Sequence, residues 1–235
     1  MRADRYKHLF TKELLMGPNA VRLLDELLED SPIEGGRVLD LGCGTALTSL
    51  FMAKETAAEQ IFAVDLWIPA TPNWQRIKAW GMEHKIIPLH ADANELPFPD
   101  DFFDVVVSVD SYHYYGCKER FFADKILPLI RKGGKALFIV PGLKKEFESG
   151  NIPAIMTEWA GDETSSFHDA GWWKNHIAKS CEDRIEIEVY ESGQFEQSWR
   201  EWIDTGHEFA ATDKEFLDRG LDRLLNFVNM IVRVK

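Results

Sequence analysis

Asp40, Gly42 and Gly44 form the first group of residues able to do chemistry. A short apolar run ends in the acid, and two glycines separated by one residue follow at once. Glycines at that spacing let the main chain approach a ligand that any Cβ would block. A helix-like run over 47–54 comes next, so the segment predicts a strand, a tight turn and a helix start, the arrangement that seats a nucleotide-like ligand. A carboxylate at Asp40 would repel a pyrophosphate and attract a cation. Asp65 ends a second apolar run, near the spacing at which an acid meets a ribose. Two ribose hydroxyls can donate to one carboxylate, each bond being worth roughly 1.5–3 kcal/mol when charge-assisted.

Other readings compete. An acid at a strand end also serves as a helix cap or turn former. A dinucleotide-binding turn needs a third glycine where Leu47 stands. Tyr114 and Lys118 have the tyrosine–lysine spacing of short-chain dehydrogenases, but they follow the fourth strand too early in the chain for that role. His168, His176 and Cys181 match no zinc spacing, and no metal site is expected.

These residues need elements to position them, and the hydrophobic pattern supplies a strand–helix alternation. Helices are expected over 5–30, 47–55, 73–80 and 119–130, with strands over 37–41, 60–65, 86–90, 103–109 and 135–140. Gly17-Pro18-Asn19 interrupts the first helical stretch. The β-branched run of 103–109 suits a strand covered on both faces. Pro141-Gly142 breaks the rhythm, and 143–182 reads as a lid or insertion of short helices. A strand at 184–190, helices at 195–204 and 213–225, and a last strand at 227–234 complete the chain. The fold class is therefore α/β, a Rossmann-like doubly wound sheet of seven mostly parallel strands with a helical cover. The expected organisation is one domain over 1–235: a helical cap (1–34), a binding core (35–142), the lid (143–182) and the C-terminal part of the sheet (183–235).

Composition narrows the function classes. The 235 residues are 45% hydrophobic and 28% charged, ordinary for a globular protein. The net charge of −12 argues against nucleic acid, whose phosphates need Lys and Arg, and less strongly against an anionic membrane surface. No apolar stretch approaches the ~20 residues that span a bilayer. Three scattered cysteines and no apolar leader fit a reduced, cytoplasmic setting.

Four blocks in order resemble the class I S-adenosylmethionine-dependent methyltransferases, strongly over about 35–142. They are Val38–Ala46, Ala63-Val-Asp65, His90–Asp104 and Leu127–Gly134. The flavour is that of the type 11 group. Ser108–Gly116 also resembles a bacterial group loosely labelled cyclopropane-fatty-acid-synthase-like. Ala46 departs from the pattern, standing where many members carry a third glycine.

The resemblance implies S-adenosylmethionine as cofactor and methyl transfer to a small-molecule acceptor. Gly42 and Gly44 would lie against the methionine part, with Asp40 fixing the loop and facing the positive end. Asp65 would hold the ribose, Leu66 and Trp67 would pack on the adenosine, Asp92 and Ala93 would reach the adenine, and Asp110 would stand beside the methionine end. His113 is the expected base and Tyr114 its catalytic neighbour on the loop after the fourth strand. Tyr112 and Tyr115 offer further aromatic faces. Tyr6, from helices folding over the cofactor, and His168 with Trp172, from the lid, are expected at the acceptor. A non-catalytic S-adenosylmethionine-binding protein and a lipid-modifying enzyme remain alternatives. The oligomeric state and the methylated atom are open, since the core motifs serve O-, N-, S- and C-methylation.

Overall fold

The computed structural model describes residues 1–148 and 151–235. Helix α1 (Ala20–Asp30) precedes strand β1 (Arg37–Leu41), helix α2 (Leu47–Glu55), strand β2 (Gln60–Asp65), helix α3 (Ala70–Ala79) and strand β3 (Ile86–His90). Strand β4 (Phe103–Val109), a four-residue helix α4 (His113–Gly116) and the long strand β5 (Ile130–Leu143) complete the core. Helices α5 (Ala154–Ala160) and α6 (Ala170–Ala178) lead to strand β6 (Ile185–Glu191). Helices α7 (Phe195–Ile203) and α8 (Glu208–Asp218) and strand β7 (Leu225–Val234) end the chain.

The seven strands form one sheet in the order β3-β2-β1-β4-β5-β7-β6. β1 to β5 pair in parallel, while β7 lies antiparallel to both β5 and β6. The expected seven-stranded, doubly wound sheet is therefore the observed one. β4 sits between β1 and β5, and Val105, Val106 and Val107 are buried on both of its faces, which is why its sequence lacks alternation. Two apolar cores flank the sheet. One gathers α1, α2, α7 and the Leu23–Leu28 stripe, and the other gathers Tyr112, Phe103, Phe138 and Trp173.

Several boundaries differ from the sequence reading. The N-terminal helical stretch divides into a 3-10 segment (Arg2–Leu9), an irregular passage and α1. The break is chemical: Asn19 Oδ1 accepts the N–H groups of Val21 and Arg22 at 3.0 and 3.3 Å and starts a new helix. The helix expected over 119–130 is a π-helical turn (Phe122–Ile126) followed by a 3-10 turn (Leu127–Leu129). Pro128 has no N–H to continue an α-helix there. The helix expected over 213–225 lies earlier, as α8, with Gly220 at φ +100° beyond its end.

The N-terminal passage is tied down by buried polar contacts. Arg22, 4% exposed, pairs with Glu201 of α7, and Asn19 Nδ2 donates to the same carboxylate at 2.6 Å. Asp25 accepts Arg2 Nε at 2.7 Å and the Ala3 N–H at 2.8 Å. A buried pair of this kind gives register more than net stability, because desolvation offsets its attraction.

Candidate functional site

β1 and β2 end side by side, and the glycine turn grows from that edge. Gly42 and Gly44 have φ of +74° and +52°, which an L side chain rarely adopts. A Cβ at Gly42 would run into Ser111 Oγ, and one at Gly44 would stand 3.0 Å from Met16 Sδ. The Gly42 N–H donates to Val64 O at 2.8 Å, stitching the turn to β2. Ala46, fully buried, is held at φ +65°, so the position that commonly carries glycine keeps its left-handed backbone here at a cost of roughly 1–2 kcal/mol.

The turn forms one wall of a cavity of about 310 Å³. Asp65 lines it with a carboxylate that is already engaged: Oδ2 accepts the Gly44 N–H at 2.8 Å, and Oδ1 accepts those of Trp67 (2.8 Å) and Ile68 (2.7 Å). A carboxylate has about four acceptor directions, so one remains, on Oδ2. The two ribose hydroxyls anticipated from the sequence cannot both find a free direction without displacing an N–H. Asn73 Nδ2 donates to Gly44 O at 2.9 Å and braces the turn from behind.

Asp92 and Ala93 line the same cavity beyond β3. Asp92 Oδ1 accepts the Asn94 N–H at 2.8 Å, and that bond holds its carboxyl below the usual range; Oδ2 makes no hydrogen bond among the described residues. Lys118 Nζ donates to Asn94 Oδ1 at 2.9 Å. Leu66, Trp67 and Tyr114 stand at the mouth, each at least two-fifths exposed, with the Trp67 and Tyr114 rings 5.1 Å apart edge to face.

The segment after β4 decides which of its residues reach the cavity. Asp110 adopts φ +55° and donates its N–H to Ile139 O at 2.8 Å. A short helical turn follows, with the Gly116 N–H on Tyr112 O at 2.7 Å. Helical spacing then sends Ser111, Tyr114, Tyr115 and Lys118 to the cavity and Tyr112, His113 and Gly116 to the other side.

His113 accordingly does not line the cavity. It is 2% exposed, packs on Tyr114 and Phe167, and burial pushes its imidazole down to about 3. A group that stays neutral and faces away from the ligand cannot be the base the sequence suggested. Tyr112 is wholly buried and stacks on Phe138 at 4.1 Å. Asp40 also leaves the ligand side: it is 1% exposed and accepts Thr48 Oγ1 (2.8 Å) and Ser49 Oγ (2.5 Å), tying the start of α2 to β1. Burial pushes its carboxyl up to about 6. Tyr6 donates to Glu55 Oε1 at 2.6 Å, at the C-terminal end of α2, and does not line the cavity.

The segment 143–182 reads in the sequence as a lid over the acceptor, but none of its described residues lines the cavity. Trp172 is stacked between His168 (3.5 Å) and His176 (4.3 Å), and His168 pairs with Glu146. Ser149 and Gly150 of this segment lie outside the described residues. The cover comes instead from Leu14, Leu15, Met16, Gly17 and Pro18, between the 3-10 segment and α1. Thr45 Oγ1, on the glycine turn, donates to Leu14 O at 2.6 Å and fastens this roof to the floor. The sequence reading places N-terminal helices over the cofactor, with Gly17-Pro18-Asn19 as a break within them and Tyr6 as the contact. Ser111 lies in the Ser108–Gly116 block but is not singled out there, and Asn73 and Leu14 to Met16 carry no motif, so their place at the site comes from tertiary contacts.

Residues 38–134 match the family model described as a methyltransferase domain. Over 124 residues the chain is 31% identical to a fatty-acid O-methyltransferase of Mycolicibacterium smegmatis, a match covering 51% of this chain and 42% of that protein. Over 153 residues it is 25% identical to a glycine/sarcosine/dimethylglycine N-methyltransferase of Actinopolyspora halophila, covering 65% and 26%. The matched segment thus spans less than half the length of these curated relatives. The fold is shared with a Haemonchus contortus phosphoethanolamine N-methyltransferase 2 in complex with S-adenosyl-L-methionine: TM-score 0.72, 21% identity, covering 94% of this chain and 54% of that one.

Proposed function

We propose that this chain, which carries a methyltransferase domain of the class I fold, binds S-adenosylmethionine beneath its N-terminal roof and transfers the methyl group to a small-molecule acceptor. The observation that carries the reading is one cavity in which the glycine turn, the Asp65 carboxylate and the Asp92–Ala93 pair are met in order.

The residues fit the cofactor. Gly42 and Gly44 offer a backbone without Cβ atoms, Asp65 keeps one acceptor direction for a ribose hydroxyl, and Asp92 Oδ2 is open to an exocyclic amine. Leu66 and Trp67 provide apolar faces for the nucleoside. When bound, S-adenosylmethionine supplies a methyl group already activated by its sulfonium. The protein then mainly orients the two partners and excludes water, and orientation alone can supply up to ~7–11 kcal/mol. The roof from Leu14 to Pro18 is the part that excludes water.

Among the described residues no helix is long and apolar enough to cross a membrane. The net charge of −12 favours a small-molecule partner over nucleic acid, and three unpaired cysteines favour the reduced cytoplasm within this proposal. Calorimetric titration with S-adenosylhomocysteine tests the reading. Micromolar binding by the intact protein, lost in Asp65→Ala, supports it; a folded protein that binds neither S-adenosylhomocysteine nor S-adenosylmethionine overturns it.

A further inference from the structure

The methyl-transfer reading leaves the acceptor open, and with His113 turned away the cavity has lost its expected base. Asp110 is the group left in place. Its carboxylate lines the cavity and, among the described residues, makes no hydrogen bond or ion pair, whereas Asp40 is tied to Thr48 and Ser49 away from the cavity and Asp65 accepts three backbone N–H groups. Its backbone is held in the left-handed region at φ +55° by the bond to Ile139 O, a conformation that costs a non-glycine residue of order 1–3 kcal/mol. The roof passes directly above it, since a Cβ on Gly17 would stand 2.9 Å from Asp110 Oδ2.

The charges around the cavity are one-sided. The charged side chains lining it are Asp65, Asp92, Asp110 and Lys118, and the one ammonium is engaged by Asn94 beside Asp92, at the other end. A carboxylate or phosphate brought to Asp110 would lose its water and meet a like charge, with the one ammonium of the lining engaged at the other end. An ammonium or a hydroxyl would find an acceptor. The remaining surroundings are apolar: Met16, Trp67 and Tyr114 expose large side chains at the mouth.

We propose that Asp110 receives the acceptor's nucleophile, and that the acceptor is an amine or hydroxyl compound with an apolar body rather than a carboxylate or phosphate ester. The inference rests on the methyl-transfer reading and narrows its substrate class. In the transfer the acceptor's lone pair forms the bond to the methyl carbon, and the carbon–sulfur bond breaks with its electron pair left on sulfur. A hydroxyl gives its proton to Asp110 as the bond to carbon forms, and an amine bound as ammonium gives it to Asp110 beforehand, which frees the lone pair for the attack. Burial, helped by the charge of Asp213, pushes the Asp110 carboxyl up to about 7, which suits a proton acceptor near neutrality. Asp213 is itself held by the indole N–H groups of Trp159 and Trp202, each at 2.8 Å.

The test compares benzylamine and phenylacetate, alike in their apolar part, titrated into protein saturated with S-adenosylhomocysteine. Benzylamine should bind at least about tenfold more tightly, and Asp110→Asn, saturated with the same S-adenosylhomocysteine, should lose that preference. Asparagine is well suited to φ +55°, so the variant should fold. Equal or tighter phenylacetate binding, no benzylamine binding, or a preference that survives in Asp110→Asn overturns the proposal. Loss of S-adenosylhomocysteine binding in Asp110→Asn also overturns it, by assigning the residue to the cofactor. Failure of the unaltered protein to bind S-adenosylhomocysteine instead removes the methyl-transfer reading itself.

Discussion

Replacing Asp65 should damage two things by separable amounts. In the free protein its carboxylate accepts three backbone N–H groups, from Gly44, Trp67 and Ile68. Trp67 is largely exposed, so water can take over its N–H. The Gly44 bond is the costly one, because it fixes the turn. Counting one such charge-assisted bond in full and the others in part gives a stability loss of about 2–4 kcal/mol for Asp65→Ala. Asp65→Asn keeps one carbonyl oxygen, so it should lose about half as much. The ligand's ribose then loses the remaining acceptor on Oδ2 and meets a loosened turn. At ~1.4 kcal/mol per decade, a charge-assisted bond of roughly 1.5–3 kcal/mol corresponds to about 10- to 100-fold weaker S-adenosylhomocysteine binding. Urea denaturation measures the first quantity and calorimetric titration the second. Folded Asp65→Ala that binds within about threefold of the unaltered protein would refute the assignment of Asp65 to the ribose.

Other perturbations have directions fixed by the same structure. Tyr6→Phe removes the bond to Glu55 and should cost about 1 kcal/mol in urea denaturation, with unchanged S-adenosylhomocysteine affinity; a loss of affinity would return Tyr6 to the site. Asp40 has a folded value raised to about 6, so its contribution to stability is present below the ordinary value of 3.8 and is lost as pH rises through 6. Asp40→Asn should flatten that part of the stability profile by up to about 3 kcal/mol, and an unchanged profile between pH 4 and 7 would contradict the burial argument. His113 runs the other way: lowered to about 3 from 6.5, it contributes stability above pH 6.5 that is lost as pH falls toward 3. His113→Phe should therefore reduce acid sensitivity, and any change in the pH dependence of methyl transfer on that substitution would restore a catalytic role. Thr45→Val breaks the tie to Leu14 O, and should weaken S-adenosylhomocysteine binding with a larger effect on dissociation than on association, read by stopped-flow fluorescence.

The sequence alone determined the sheet and the floor of the site. Apolar runs of strand length alternating with helical periodicity report local burial, and that pattern located β1 to β4 within a residue and placed Gly42, Gly44, Asp65, Asp92 and Ala93 at strand ends and turns. Glycine could be read because its reason is local: a positive φ at Gly42 and Gly44 is a property of the turn itself. Tertiary structure decided what faces inward. A single left-handed residue, Asp110, and one helical turn rotate Tyr112 and His113 into the core and leave Asp110 and Tyr114 at the cavity, and no local pattern distinguishes those directions in a stretch of aromatics. Asp40 looked like a ligand group because an acid before glycines is the same in sequence whether it points out or back onto Thr48 and Ser49. An N-terminal cover was legible only in outline, and its contact residues were not: Leu14 to Pro18 reach the glycine turn where Asn19, Arg22 and Glu201, 179 residues from Arg22, hold α1 against α7. Contacts between segments so far apart leave no periodicity in either one, so the closing of the cavity belongs to the folded chain alone.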